Sequence, residues 1–449
     1  MLKGYLVPHP PLIVKGVGDG TEIPKTRLAY EQIGREVKEY APEVAVIISP
    51  HSVMYADYFH ISPGEKASGS FARFRRPEIK FEAAYDAELA KTIAGLAEKE
   101  GLPAGFLGEK DRSLDHGVMV PLYFIPCGKI VRISLSGLGF IEQYKFGTCI
   151  GRAIRTLNRK AVIIASGDMS HKLGGDYGFS EFGVEHDKYV RECIENSDIR
   201  RLFQIPPAVA ENAAECGLRS IMIMCGALDG YEIKSEVLNY EAPFGVGYLT
   251  AKFEAEGERE SLLPLIASDK RSAIENSRKG EDAYVKLARE NVENFVRTGK
   301  TIKIPDGLPR EMLNDRAGVF VSVHKNGNLR GCIGTIAPTP KNIAGEIIRN
   351  GVSACSEDPR FEPITPDELE ELTFSVDVLF PPEKIASKAE LDVKKYGVIV
   401  TSGYKRGLLL PNLDGVDSVD EQINIAMRKG GIRPDEKYEL ERFEVIRHG

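Results

Sequence analysis

Three histidines occupy the same place in three separate stretches of the chain, each just beyond an apolar run. His9 stands in Pro8-His9-Pro10-Pro11 after residues 2–7, His51 in Ser49-Pro50-His51-Ser52 after residues 44–48, and His171 in Ser166-Gly167-Asp168-Met169-Ser170-His171 after residues 161–165. Prolines flank the first on both sides and precede the second, which fixes the local backbone and suits rigid presentation of a ligand. One histidine after a strand is more often a hydrogen-bonding loop residue than a ligand; three with one placement argue for convergence. A fourth, His116, lies in the turn-like Leu114-Asp115-His116-Gly117, where on its own it reads as a helix cap. Two neutral imidazoles and one carboxylate hold a divalent iron while leaving a face open to substrate and dioxygen. Glu241, at a late strand and followed by Gly245 and Gly247, is the first choice for that carboxylate. Asp168 is its rival, otherwise a turn acid bonding its own backbone. His60 and His186 lack comparable surroundings and are read as residues without chemistry.

The elements that must position these groups follow from the apolar pattern. Residues 44–48, 130–135 and 161–165 are short, β-branched runs of the kind buried on both faces of a sheet, and Ala29, Ile33, Val37 and Tyr40 recur at helical spacing. Buried strands separated by helices predict an α/β domain over residues 1–260: a layered, mostly buried mixed sheet with flanking helices. In such sheets ligands bind in the crevice at the carboxyl ends of the strands, where the three histidines fall. Residues 261–274, charged around the patch Leu262-Leu263-Pro264-Leu265-Ile266, read as a linker that docks partway. Residues 275–449 read as an α+β domain: a helix with Tyr284, Ala288, Val292 and Phe295, a strand pair either side of Asn326-Gly327, a helix over residues 343–352, and a capping box at Ser418-Val419-Asp420-Glu421 with Gly430 past the helix end.

Composition bounds the function. The 449 residues allow two or three domains, and 42% hydrophobic with 28% charged residues is ordinary for a globular chain. A net charge of -7 gives no footprint for nucleic acid or anionic lipid. Prolines stop the first apolar run, so no signal peptide or membrane span is expected and the chain is read as cytoplasmic. Seven scattered cysteines without a C-x-x-C pair suggest neither a disulfide framework nor a zinc knuckle; most are expected to be small buried hydrophobes.

Taken together, Pro8-His9-Pro10, Ser49-Pro50-His51, Asp115-His116-Gly117, the 166–171 segment and Glu241 resemble, in order, the class III extradiol ring-cleavage dioxygenases, the family of the protocatechuate 4,5-dioxygenase β subunit. The resemblance covers the first domain. It implies that His9, His51 and Glu241 hold Fe(II) (another divalent metal is an alternative), that His171 is the catalytic acid/base, and that His116 hydrogen-bonds a small aromatic substrate that reacts with dioxygen. The related mediator-of-cell-motility (Memo) proteins share the fold but lack the carboxylate, so Glu241 favours iron. The residues leave two other readings open: a metal hydrolase using the same histidines with Asp168, and a non-catalytic scaffold.

In the second domain, Leu329-Arg330-Gly331-Cys332-Ile333-Gly334-Thr335, Glu357-Asp358-Pro359-Arg360-Phe361 and the segment from Gly403 to Pro411 resemble the AMMECR domain. Arg330, Cys332 and Arg360 form a candidate second site. A guanidinium near Cys332 would favour a thiolate, with His324 its partner only if a three-residue loop over 326–328 sets Ser322 opposite Cys332. The plainer reading, favoured here, makes Cys332 a small core residue, and sequence does not choose between ion pairing and anion binding for the arginines. The fused pair resembles proteins of the AmmeMemoRadiSam system, which implies a radical S-adenosylmethionine protein as partner. Strand-edge pairing between copies is a route to a homodimer.

Overall fold

The computed structural model describes residues 2–18, 20–108, 113–325, 327–413, 416 and 418–449. The chain divides into two compact units, Met1–Lys270 and Arg271–Gly449. Most of the expected linker is helical: residues Leu263–Lys279 form a helix, and Leu262 and Ile266 are buried in the core of the first unit. No helix among the described residues is long and apolar enough to cross a membrane.

Unit one is built on a six-stranded mixed sheet. Its strands are β1 (Lys3–Val7), β2 (Val44–Ser49), β3 (Lys129–Ser134), β4 (Ala161–Ser166), β5 (Tyr231–Glu241) and β6 (Tyr248–Glu258), in the order β3-β2-β4-β1-β6-β5. The first four run parallel, β6 is antiparallel to β1, and β5 is antiparallel to β6. The ends of β1, β2, β4 and β5 therefore open onto one edge. Every residue of β2 and β4 is buried. Alternate residues face opposite sides, as the pleat demands. Leu6, Val46, Ile48 and Ile163 pack in one core and Tyr5, Val7, Ile47 and Ile164 in the other.

Helices cover both faces. On the second core lie α1 (Pro24–Tyr40), with Tyr30, Ile33 and Val37 buried, and α3 (His116–Phe124). Proline opens α1 where no backbone donor is needed, and Ala41 closes it in the left-handed region. On the first core lie α2 (Ala87–Lys99), α4 (Phe140–Thr156), α5 (Glu181–Glu195) and α6 (Leu218–Ala227). The helices α4 and α6 meet backbone to backbone: a Cβ on Gly226 would lie 2.1 Å from the Tyr144 carbonyl oxygen. The helix α6 begins directly after Cys216-Gly217.

Unit two contains an antiparallel sheet of seven strands: β7 (Gly318–Lys325), β8 (Asn328–Thr335), β9 (Leu372–Leu379), β10 (Glu383–Ile385), β11 (Tyr396–Ser402), β12 (Lys405–Leu409) and β13 (Glu439–His448). The order is β8-β7-β9-β13-β11-β12, with β10 also beside β13. Helices Ala283–Thr298 and Ile343–Ser356 pack on Val319, Val321, Val323 and Val376. Ser418 caps the last helix by accepting from Glu421 N, one half of the expected capping box. Of the expected hairpin turn, Asn326 lies outside the described residues.

Substituting Gly226→Ala should lower stability by about 1–3 kcal/mol through overpacking at the α4–α6 crossing. Urea unfolding of the full chain checks this; an unchanged midpoint would contradict the close contact.

Candidate functional site

The sheet topology brings the expected histidines together at the shared strand edge. His9 follows β1 and is 2% exposed. Its Nδ1 lies 3.0 Å from Ser166 Oγ at the end of β4, which turns Nε2 toward the crevice. Tyr30 of α1 donates its hydroxyl proton to the Pro8 carbonyl, holding the preceding residue. His51, beyond β2, places its Nε2 2.9 Å from His9 Nε2. His116 opens α3 behind the capping residue Asp115, and its ring lies 4.0 Å from that of His51 and 5.3 Å from that of His9. His116 is thus not the cap; Asp115 accepts from Val118 N in that role.

Asp168 is the carboxylate in this cluster. Its Oδ1 accepts the His9 backbone N–H at 3.0 Å, and its Oδ2 lies 3.7 Å from His9 Nε2 and 3.8 Å from His171 Nε2. Burial works against the charge of Asp168, but His9 and His171 outweigh it and hold the carboxyl below its usual range. His171, with its side chain 29% exposed, stacks on Tyr177 at the outer side.

Glu241 stands apart from the cluster, in contrast to the expectation. Its Oε1 accepts from both Thr26 N and Thr26 Oγ1 at 2.7 Å, and Asn239 donates to the same hydroxyl. The carboxylate serves the Thr26 backbone donor in the first turn of α1, where a negative charge is favoured.

The structure adds a residue that sequence reasoning passed over. Cys216 Sγ lies 3.8 Å from His9 Nε2 and accepts from Asp168 N at 3.2 Å. A Cβ on Gly167 would lie 2.2 Å from Gly217 Cα, so only two glycines let these loops approach closely enough to set Cys216 beside Asp168. No local pattern singled it out, since Cys127 also precedes a glycine in a loop. Burial, then the neighbouring Asp168, pushes its thiol well up.

Two sets of ligand atoms therefore lie within 4.8 Å of one another among the described residues: His9, His51 and His116, and His9, Asp168 and Cys216. Imidazole, carboxylate and thiol donors gathered around His9 are of the kinds that bind a divalent transition metal, and the Ser166 contact on the far side of the His9 ring is what an oriented ligand requires. Burial, reinforced by the neighbouring histidines, lowers His51 to about 4 and His116 to about 3, so both rings are neutral at pH 7 and free to offer lone pairs.

In unit two the candidate residues Arg330, Cys332 and Arg360 are occupied by the fold. Ser322 does oppose Cys332, because an extra residue at Arg330 offsets the tight turn: Val323 pairs with Gly331 and His324 with Leu329. Cys332 Sγ accepts from Ser322 Oγ at 3.2 Å, and no hydrogen bond to His324 is found among the described residues. Arg330 grips Glu368 with two nitrogens at 2.9 and 3.0 Å and donates to the Glu362 carbonyl. Asp358 accepts from Cys332 N, while Arg360 donates to Cys332 O and pairs with Asp358 at 2.7 Å. The acid and the arginine thus cover the open edge of β8 as a neighbouring strand would. Arg360, followed by hydrogen bonds from backbone donors including Cys332 N, holds the Asp358 carboxyl far below its usual range, against the effect of burial.

Unit one thus combines a mixed α/β sheet with a cluster of histidine, aspartate and cysteine side chains at the carboxyl edge of its strands. The family model described as the catalytic LigB subunit of aromatic ring-opening dioxygenase matches residues 3–251, and the chain belongs to that family; the AMMECR1 model matches residues 285–448. Protein CA_C1420 of Clostridium acetobutylicum is 44% identical over 460 residues, covering 99% of this chain and 98% of that protein. A protein of Thermotoga maritima is 51% identical over 171 residues, 38% of this chain and 98% of its own. Among solved structures, the uncharacterized protein PH0010 from Pyrococcus horikoshii is 31% identical, covering 36% of this chain and 88% of its own with a TM-score of 0.34.

For the chelator-treated protein the lowered histidine values set a pH dependence. Below the unfolded value of 6.5 the unfolded chain takes up protons that folded His51 and His116 refuse until about pH 4 and 3. Their contribution is therefore complete above pH 6.5 and drains as pH falls. Urea unfolding should show lower stability at pH 5 than at pH 7, with a shallower difference in a His51→Asn/His116→Asn variant. In unit two, Asp358→Ala should cost about 1–3 kcal/mol and promote association through the uncovered edge; unfolding and light scattering read the two effects.

Proposed function

We propose that unit one is a metal-dependent, dioxygenase-like enzyme that opens the ring of a small aromatic diol, with Fe(II) as its ion. What carries the reading is the meeting of two sets of ligand atoms at His9, one with His51 and His116 and one with Asp168 and Cys216, at the carboxyl edge of the sheet in a chain of this family. His9 and His51 would hold the ion together with Asp168, Cys216 or both. Bound there, Fe(II) would lower the pKa of a diol hydroxyl and bring diol and dioxygen to one centre.

This chain's own residues do the rest. Neutral His116 lies beside His51, placed to orient a hydroxyl, with the Phe74 ring edge-on to it at 5.5 Å. His171 is the candidate proton carrier: it takes a proton from the second hydroxyl and returns it as the ring opens, and Asp168 stabilises the imidazolium in between. Because Asp168 lies among the histidines and Glu241 does not, a metal hydrolase built on the same residues is kept as the second reading.

Anaerobic reconstitution with Fe(II), followed by catechols and oxygen, tests this. Stoichiometric iron and a yellow ring-cleavage product are expected. His171→Ala should lose turnover about 100-fold or more while keeping its iron, and His9→Ala should lose the iron. Hydrolytic turnover without oxygen would favour the second reading, and full iron content in His9→Ala would remove the site.

A further inference from the structure

The capping aspartate of α3 makes more contacts than a cap needs. An N-cap satisfies one or two backbone donors of the first turn. Asp115 Oδ1 does so by accepting from Val118 N at 3.2 Å, yet the same oxygen also accepts from Ser49 Oγ at 2.6 Å. Its Oδ2 accepts from Ser52 Oγ at 2.8 Å and lies 3.2 Å from Arg132 Nη2. Arg132, on β3 with its side chain 3% exposed, donates in turn to Ser52 Oγ at 2.8 Å.

Ser49 and Ser52 bracket His51, and Asp115 immediately precedes His116. One carboxylate therefore grips the loop on both sides of one histidine and the helix start that carries the other. We propose that Asp115 is a positioning residue that holds His51 against His116 and so sets the metal affinity of the cluster without contacting the ion. The inference rests on the metal-site reading above. Asp168 serves the other half: it holds the backbone of His9 and faces His171. The halves meet where His9 and His51 bring their Nε2 atoms together.

Asp115→Asn separates this role from capping. Asparagine caps as well as aspartate and can keep the Val118 bond, but its amide would turn a donor toward Ser52 and the Arg132 guanidinium. Ser52→Ala removes the grip on the His51 loop without changing charge. Asp86→Asn is the control: Asp86 is also a buried capping acid paired with an arginine, at the start of α2, with none of these contacts.

In the full-length protein, Co(II) affinity by chelator competition should fall about 10- to 100-fold in Asp115→Asn, less in Ser52→Ala and not at all in Asp86→Asn, and the visible Co(II) spectrum should change in the first two. In chelated protein, histidine-ring proton–nitrogen spectra should show the His51 and His116 signals moving in Asp115→Asn while that of His171 stays. Loss of stability with unchanged Co(II) affinity and unmoved His51 and His116 signals, as in the control, overturns the proposal. If wild-type protein takes up no Co(II) at the histidines, the metal-site reading falls, and with it the claim on affinity; the ring spectra then decide the grip on His51 and His116 by themselves.

Discussion

A carboxylate buried at the end of a central strand, with no lysine or arginine against it among the described residues, is costly unless its surroundings supply donors aimed at it. Asp168 is in that position, 7% exposed, and the first unit's edge is arranged around it. The His9 backbone donates to its side chain, two imidazoles face its second oxygen, and its own backbone N–H reaches Cys216. Each contact ties a different segment, those following β1 and β4 and the one preceding α6, to one point. The same requirement that lowers the cost of the charge thus assembles a group of metal-binding atoms, and a cation placed there would complete the compensation.

The His51 and His116 half solves a like problem by other means. Asp115 and Arg132 form an ion pair that is nearly shielded from water, in which both partners gain further hydrogen bonds from Ser49, Ser52 and the Ser113 carbonyl. Such a pair contributes little net stability compared with apolar packing, but it is intolerant of displacement. Geometry rather than stability is what it supplies. His51, on a loop, needs that support, because loops lack the regular ladder that fixes residues within the sheet.

Much of this was legible in sequence, for identifiable reasons. Strands buried on both faces leave unbroken apolar runs, so β2, β3 and β4 are plain, and a histidine just beyond such a run inherits the strand's position. Because the parallel strands share a carboxyl edge, His9, His51 and His171 could be placed on one side before any distance was known. What failed to show was contact that depends on the third dimension. Glu241 ends a strand at the correct edge, yet the donors of the first turn of α1 reach it first. Cys216 is brought in by two glycines 50 residues apart, Gly167 and Gly217, whose mutual approach no local pattern records. The register of β7 and β8 likewise turned on one extra residue, Arg330, which moved Cys332 opposite Ser322 although the turn itself is tight.

Unit two shows how a sequence signature can be accounted for by folding alone. The segment from Leu329 to Thr335 is an edge strand, and an edge strand with free amides and carbonyls invites pairing with other chains. The 357–361 segment supplies an acid for the Cys332 amide and an arginine for its carbonyl, so two motifs far apart in sequence are the two sides of one covered edge. Arg330 is likewise committed to Glu368, which it shares with Lys325, and to a carbonyl. The hydrogen bonds of these motif residues are thus accounted for within the fold. In unit one the reverse holds: imidazole, carboxylate and thiol groups gather around the His9 ring, a set of donor atoms that a bound cation would hold together.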